Sequence, residues 1–468
     1  MSDEQKREKK LLSRREFLKA AGLTVAGVAA SSILGSCGPG EATEAPTATS
    51  QGPTATPTAE PVNVVWWTEA VPESIQQSIV EEFVEPFNES HPHVNLELQF
   101  MAELVDKVKT AVAGGGGPDI IETVGPTVAS EFYTNGYTIS LTDFADQYGW
   151  RDIMHDWAIK YGTVGGELVS LQLTQETMMM VYNKGLLEEK GWSIPTTPDE
   201  LVNVVENCLS EGIVPFASHS SMPLYHTTIW NDYASALSVY KWLSGEIPFT
   251  SEEFVGAADF LRMMLEEEWM GDKVWDLGFG DEWALLATDQ ALMKIDGSWA
   301  FKSGADAFEE FEWDVAPLPN LREGITHTWA LGSGEALSIA ADSENPEAVA
   351  EVLNYIYSNP ARAGKLMAAH PGEWVVPIKI EQDDIPDTLD PRQQKVIVWM
   401  NEAGAEDKIG YLTWSSWPPK TLGVSMDYAG AHARGEMSSE DFCAEIQSQF
   451  EDDLEAGEVM DIPVTAGA

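Results

Sequence analysis

VNVVWW at Val62–Trp67, VNLELQF at Val94–Phe100 and PDII at Pro118–Ile121 decide the fold. The first is β-branched and aromatic ahead of polar residues, and the second alternates, so both predict strands. Between them Ile75, Ile79, Val80, Phe83 and Phe87 recur near helical spacing over Glu73–Ser90. A short helix over Leu104–Ala113 separates the second strand from the third. Strands that alternate with helices predict an α/β class with a parallel-type sheet. The run Gly114–Gly117 is a turn rather than a phosphate loop, because Pro118-Asp119 follows where Lys-Ser/Thr is needed.

The same alternation continues. A helix over Val128–Gly136 ends on Asn135-Gly136, and Met178–Tyr182 is a strand that turns at Asn183-Lys184-Gly185. Thr197-Pro198-Asp199-Glu200 caps a helix running to about Leu209. Residues 251–270 and 284–290 read as helices, and Ala291–Ile295, Trp313–Pro317 and Ala336–Ala340 as strands. Asn345-Pro346 opens a helix to Tyr357, and Ser438–Asp452 is the clearest amphipathic helix.

Composition bounds the function. The 468 residues hold 27 Lys plus Arg against 76 Asp plus Glu, a formal charge of −49. Such a surface repels phosphate, which excludes nucleic acid as a partner and a basic face for anionic lipid. Hydrophobic residues make up 44%, enough for a large core, and the length predicts two or more folded units at roughly 100–200 residues each. Cys208 and Cys443 lie in helical segments and predict buried free thiols, with a disulfide between them as the alternative.

The start of the chain differs from its body. Residues 1–36 carry seven basic and four acidic residues, against 20 and 72 beyond them. Ser13-Arg14-Arg15-Glu16-Phe17-Leu18-Lys19 resembles a twin-arginine export signal, and the weakly apolar Ala20–Leu34 fits its hydrophobic region. Leu34-Gly35-Ser36-Cys37 resembles a lipobox, which implies cleavage after residue 36, lipidation of Cys37 and attachment to the membrane through that lipid. Residues 38–61 are rich in Pro, Thr, Ala and Gly, so 37–61 is a lipid-anchored, disordered tether. The expected location is extracytoplasmic, on the cell membrane.

Six motifs stand in order along the body: VVWWTEA (Val64–Ala70), GGGGPDII (Gly114–Ile121), ETMMMVYNKGLL (Glu176–Leu187), MKIDGSWA (Met293–Ala300), WDVAPLPN (Trp313–Asn320) and NPEAVAEVLNYIYSNP (Asn345–Pro360). Together they resemble the family 1 extracellular solute-binding proteins of ABC importers. The resemblance implies a two-lobed, type II periplasmic-binding-protein fold with a crossed hinge, whose cleft closes on ligand. Lobe one is then 62–174 plus 319–373 and lobe two 177–317 plus 376–468. The crossings fall near Thr174–Met178, Ala316–Asn320 and Glu373–Pro377. It further implies a monomer that takes a sugar or oligosaccharide and hands it to transmembrane permease subunits, with no cofactor.

All 17 tryptophans lie in the body, and indoles stack on the apolar faces of sugars while carboxylates take their hydroxyls. Alternation turns Trp66 and Trp67 to opposite faces, and Trp67 with Glu69 is the pair expected in the cleft. Glu122 follows the PDII strand, where ligand loops gather in open α/β sheets. The resemblance adds Glu176 as a hinge carboxylate, Trp299 as a stacking residue, Trp374 at a crossing, and Trp414 with Trp417 as a late aromatic site. Asp296 takes a hydroxyl or caps its turn. Trp230 and Asp232 fall in SHSSMPLYHTTIWNDY, which reads as an irregular, function-bearing loop. Gly332, in Gly332-Ser333-Gly334-Glu335, lets backbone approach a ligand.

Two rivals remain. A secreted glycosidase would use paired carboxylates, and the same fold could bind a polyamine through acids and aromatic boxes. The eight histidines show no metal-ligand spacing, so no metal is expected.

Overall fold

Val62–Glu69 pairs along its whole length with Val94–Met101, as the two apolar runs predict, and these are strands β1 and β2. The computed structural model describes residues 60–220, 223–278, 280–301, 312–457 and 459–465. The leader, Cys37 and most of the tether lie outside them. Ile120–Val124 is β3; Thr163–Val164, Glu167–Leu168 and Leu171–Gln172 are β4 to β6; Met178–Asn183 is β7 and Val214–Phe216 is β8. Ala291–Gly297, Trp313–Ala316, Trp329–Leu331, Glu335–Ile339 and Ile409–Tyr411 are β9 to β13.

Two larger sheets result. One has the order β2-β1-β3-β12-β6 and the other β10-β7-β9-β8. The chain builds the first sheet, crosses after β6 to the second, and returns after β10 to add β12. This return corrects the expectation of parallel sheets. β1, β2 and β3 are parallel, but β12 runs antiparallel to both β3 and β6. In the second sheet β7 is antiparallel to β9 and β10, and β8 is parallel to β9. A strand that re-enters from the opposite end arrives reversed.

The helix over 73–90 forms with a π turn at Val80–Val84 ahead of Pro86, and buries Ile79, Phe83 and Phe87. Several predicted bounds shift by a few residues. The helix expected at Val128–Gly136 is Gly125–Thr134, the one at 284–290 is Glu282–Ala287, and β12 starts at Glu335. The larger correction concerns Trp230 and Asp232. Pro223–Ile229 is an α-helix, and Trp230–Ser235 continues it as a π-helix. A side chain of this helix is held by tertiary bonds that no local pattern reveals. Asn231 Nδ2 donates to the Tyr411 carbonyl at 2.9 Å, and its Oδ1 accepts from the Tyr411 amide at 2.8 Å. The amide side chain thus pairs with an edge of β13.

Cys208 and Cys443 are buried free thiols, as expected. Behind the second sheet Trp230, Trp242, Phe249, Phe254, Trp417 and Phe450 form an aromatic core. Trp242 has no solvent exposure and meets Phe249 at 4.5 Å, Phe450 at 4.6 Å and Trp417 at 4.7 Å between ring centroids. Trp242→Ala should therefore cost about 3–5 kcal/mol of stability. Denaturant unfolding measures it, and a loss below ~1 kcal/mol would contradict this packing.

Candidate functional site

Glu69 ends β1, Glu122 is the middle residue of β3, and β12, which lies between β3 and β6, begins at Glu335 beside the segment that crosses between the sheets. Glu176 sits on that segment, paired with Gly332 in an isolated antiparallel bridge. Trp299 follows β9, and Trp414 lies in the short helix Thr413–Ser416. Glu69, Glu122, Glu176, Trp299, Glu335 and Trp414, with Glu103, Asp106, Gly334 and Glu373 among others, line one cavity of about 560 Å³. Seven of its lining residues are acidic and none is basic.

Glu122 and Glu176 are held by donors from their own neighbourhood. Glu122 accepts from Trp66 Nε1 at 2.9 Å, from Thr68 Oγ1 at 3.2 Å and from the Glu69 amide at 3.3 Å. Burial still raises its pKa to about 7, and the charge of Glu69 adds to the shift. Glu176 is 6% exposed, and its Oε2 accepts from Trp414 Nε1 at 3.1 Å. Burial, then the charge of Glu373, raises it to about 8. Glu335 is pushed well above the carboxylate range by burial and by Glu122, Glu373, Glu176 and Glu69. The Trp299 and Trp414 rings meet at 5.6 Å and 62° at the cavity wall.

Glu69, Glu122, Glu176, Trp299 and Trp414 are thus brought together as the sequence suggested. The other candidates do not line the cavity. Trp67 packs against Leu104, Val108, Ile121 and Phe132, covering the helix Leu104–Ala113. Trp374 stacks on Trp66 at 5.5 Å and 8°, behind Glu122. Trp230 and Trp417 belong to the aromatic core. Asp232 is 4% exposed and faces His327 Nδ1 at 3.3 Å. Asp296 is tied to Lys294 at 2.6 Å, and Lys294 also reaches Glu282 at 2.9 Å, all three buried. Gly332 is small for packing, since a Cβ there would lie 2.3 Å from Ser415 Oγ. The glycine at the cavity is Gly334, where a Cβ would meet Glu176 Oε1 at 2.2 Å. Its absence leaves room for that carboxylate.

Sequence reasoning missed Glu103, Asp106, Glu335 and Glu373. Glu335 and Glu373 stand in segments singled out for other residues. Glu103 carried no signal; it caps the helix Leu104–Ala113 with φ 56°. Among the described residues no three His, Cys, Asp or Glu side chains are placed to hold a metal ion.

The raised carboxylates make stability depend on pH. Both ordinarily titrate at 4.5. Between there and about 8 the folded chain holds protons at Glu122 and Glu176 that the unfolded chain has lost, so their stabilising contribution disappears as pH rises. The melting temperature of Glu122→Gln/Glu176→Gln should fall less than that of the parent between about pH 5 and pH 8. Equal slopes would contradict the burial of these groups.

Residues 67–363 match the model of the bacterial extracellular solute-binding protein family. A multiple sugar-binding protein of Streptococcus mutans is 24% identical over 288 residues, 59% of this chain and 67% of that one. A maltotriose-binding protein of Pyrococcus abyssi is 22% identical over 312 residues, 64% of this chain and 63% of that one. Among solved structures, a chitin oligosaccharide binding protein superposes with a TM-score of 0.69 at 18% identity, over 84% of this chain and 99% of that one. The apo form of RafE from Streptococcus pneumoniae gives 0.64 at 18%, over 86% and 99%. These likenesses show the two-lobed α/β fold. With the family model spanning more than half its length, the chain belongs to the bacterial extracellular solute-binding proteins.

Proposed function

We propose that this protein captures a sugar or oligosaccharide in the cavity between its two sheets and delivers it to the membrane subunits of an ABC importer. One observation carries the reading. Two indoles, Trp299 and Trp414, line the cavity together with Glu176, which accepts from Trp414. Rings of this kind stack on the C–H faces of a sugar, and carboxylates take its hydroxyls. The relatives, a multiple sugar-binding protein and a maltotriose-binding protein, support the same class.

Lobe one is 62–174 plus 319–373, and lobe two is 177–317 plus 376–468. The chain acts as a monomer and binds without turnover, so oligosaccharides incubated with it stay intact. Arg14-Arg15 directs export, and lipid on Cys37 holds the body at the membrane through residues 38–61. Cys37→Ser should abolish incorporation of labelled fatty acid in a host that processes lipoproteins. Labelling that persists in the variant would contradict the anchor.

Calorimetric titration with maltotriose, raffinose and chitin oligosaccharides tests the site. Trp299→Ala should weaken binding roughly 5- to 150-fold, the loss of about 1–3 kcal/mol of stacking. Glu176→Gln should cost less than Glu176→Ala, because the amide keeps one acceptor. Melting curves of the same variants separate lost contact from lost fold. Unchanged affinity in all three folded variants would move the site elsewhere.

A further inference from the structure

We propose that Gly297 is a positioning residue of the cavity: its missing side chain sets where the Trp299 indole stands, and so how closely the site stacks on a sugar; this rests on Trp299 being a sugar-stacking ring. Gly297 ends β9, two residues before Trp299. A Cβ built on it would lie 2.5 Å or less from Cε3, Cζ3 and Cη2 of Trp299. The three atoms nearest that point all belong to this one ring. The benzenoid half of the indole therefore lies over the bare Cα of Gly297. Carbon atoms rest about 3.5–4 Å apart, so a side chain at 297 has to open this contact by roughly 1 Å or more.

The backbone beneath the ring has little freedom to yield instead. Gly297 pairs with Met178 in the ladder between β7 and β9. Its amide donates to Asp296 Oδ1 at 2.8 Å, and the Ser298 amide donates to the Thr177 carbonyl at 3.1 Å. Asp296 is in turn fixed by Lys294 at 2.6 Å in the buried ion cluster. The φ of Gly297 lies outside the left-handed region, so its backbone does not call for glycine. The close approach of the ring does. That ring has no polar tether of its own. Among the described residues no hydrogen bond reaches Trp299 Nε1, whereas the indoles of Trp66 and Trp414 donate to Glu122 and Glu176. Packing therefore fixes its attitude, with Gly297 under the ring and Trp414 at 5.6 Å between centroids. The same construction recurs at Glu176, whose Oε1 lies where a Cβ of Gly334 would stand.

Stacking falls off steeply with distance. A gap of about 0.5–1 Å forfeits roughly a quarter to a half of the attraction between two atoms. Gly297→Ala, which displaces the ring and leaves it in place as a side chain, should therefore weaken sugar binding roughly 3- to 10-fold. That is a part of the loss expected for removing the ring.

A double-mutant cycle tests this, titrated with whichever of maltotriose, raffinose and chitotetraose binds the parent most tightly. In the Trp299→Ala background Gly297→Ala should change affinity by about 2-fold or less, because the atoms it displaces are gone. Fluorine NMR of the fluorotryptophan-labelled protein without sugar gives a second readout, with the Trp299 resonance assigned by its loss in Trp299→Ala. Gly297→Ala should shift that resonance and leave that of Trp242 in the aromatic core in place. Should Gly297→Ala fail to fold, Gly297→Ala/Trp299→Ala should fold as Trp299→Ala does, and a double variant that is equally unfolded overturns the proposal. An equal loss of affinity in both backgrounds, or an unmoved Trp299 resonance, also overturns it. If Trp299→Ala weakens binding and Gly297→Ala does not, the positioning role falls and the sugar site stands. If Trp299→Ala leaves affinity unchanged, or none of the three sugars binds, the stacking reading falls and the proposal with it.

Discussion

Glu176 is held at a point where three distant stretches of chain meet. Its amide donates to the Gly332 carbonyl at 2.9 Å, and its own carbonyl accepts from the Gly332 amide at 3.2 Å. Next to it, the Gln175 amide donates to the Val375 carbonyl at 2.6 Å. The Glu176 side chain accepts from Trp414 and lies over the bare Cα of Gly334. The segment leaving β6, the segment entering β12 and the segment around Val375 are thereby laced together beside the cavity. The backbone bonds fix where the two sheets meet, and the carboxylate makes that junction part of the cavity wall. A buried carboxylate ordinarily destabilises a fold, and here its cost is met by neutralisation, since burial holds its pKa near 8.

The same logic runs through the wall beside it. Trp66 is fully buried, stacked on Trp374, and its indole N–H is directed at Glu122. One apolar stack therefore positions a donor against a carboxylate in the middle of β3. The placement depends on β1 and β3 being parallel neighbours, with Trp66 opposite Ile120 and Trp67 opposite Ile121. Away from the cavity, Lys294, Glu282 and Asp296 form a buried ion cluster at the end of β9, three residues before Trp299. Removing one member of such a cluster leaves an uncompensated charge in the core, so its integrity constrains how Trp299 is presented.

Much of this was legible in the sequence, and the failures have physical causes. The strand β1, the helix after it and β7 could be read because apolar periodicity sets both their type and their buried face. Glu69 could be read because it stands at the end of such a strand, Glu122 because it follows the apolar Ile120-Ile121 inside β3, and Trp299 came from the family resemblance. Tryptophan was the weak signal. Trp230, Trp374 and Trp417 pack in the interior, because an indole fills a core as readily as it stacks on a sugar, and only packing distinguishes the two. Lys294 lies two positions before Asp296 and shares its face of the strand, which is the local sign of their ion pair. Glu335 and Glu373 reach the cavity because β12 returns antiparallel and the Val375 segment folds onto Gln175. Both are long-range facts that local pattern does not encode.

The central claim is that ligand enters the cavity bounded by Trp299, Trp414 and Glu176. Fluorine NMR of protein labelled with fluorotryptophan, titrated with a saccharide that binds, tests it most directly. The account predicts that the resonances of Trp299 and Trp414 shift with saturation, while those of Trp230, Trp242 and Trp417 in the aromatic core hold still. Saturation by ligand with Trp299 and Trp414 both unmoved would contradict it.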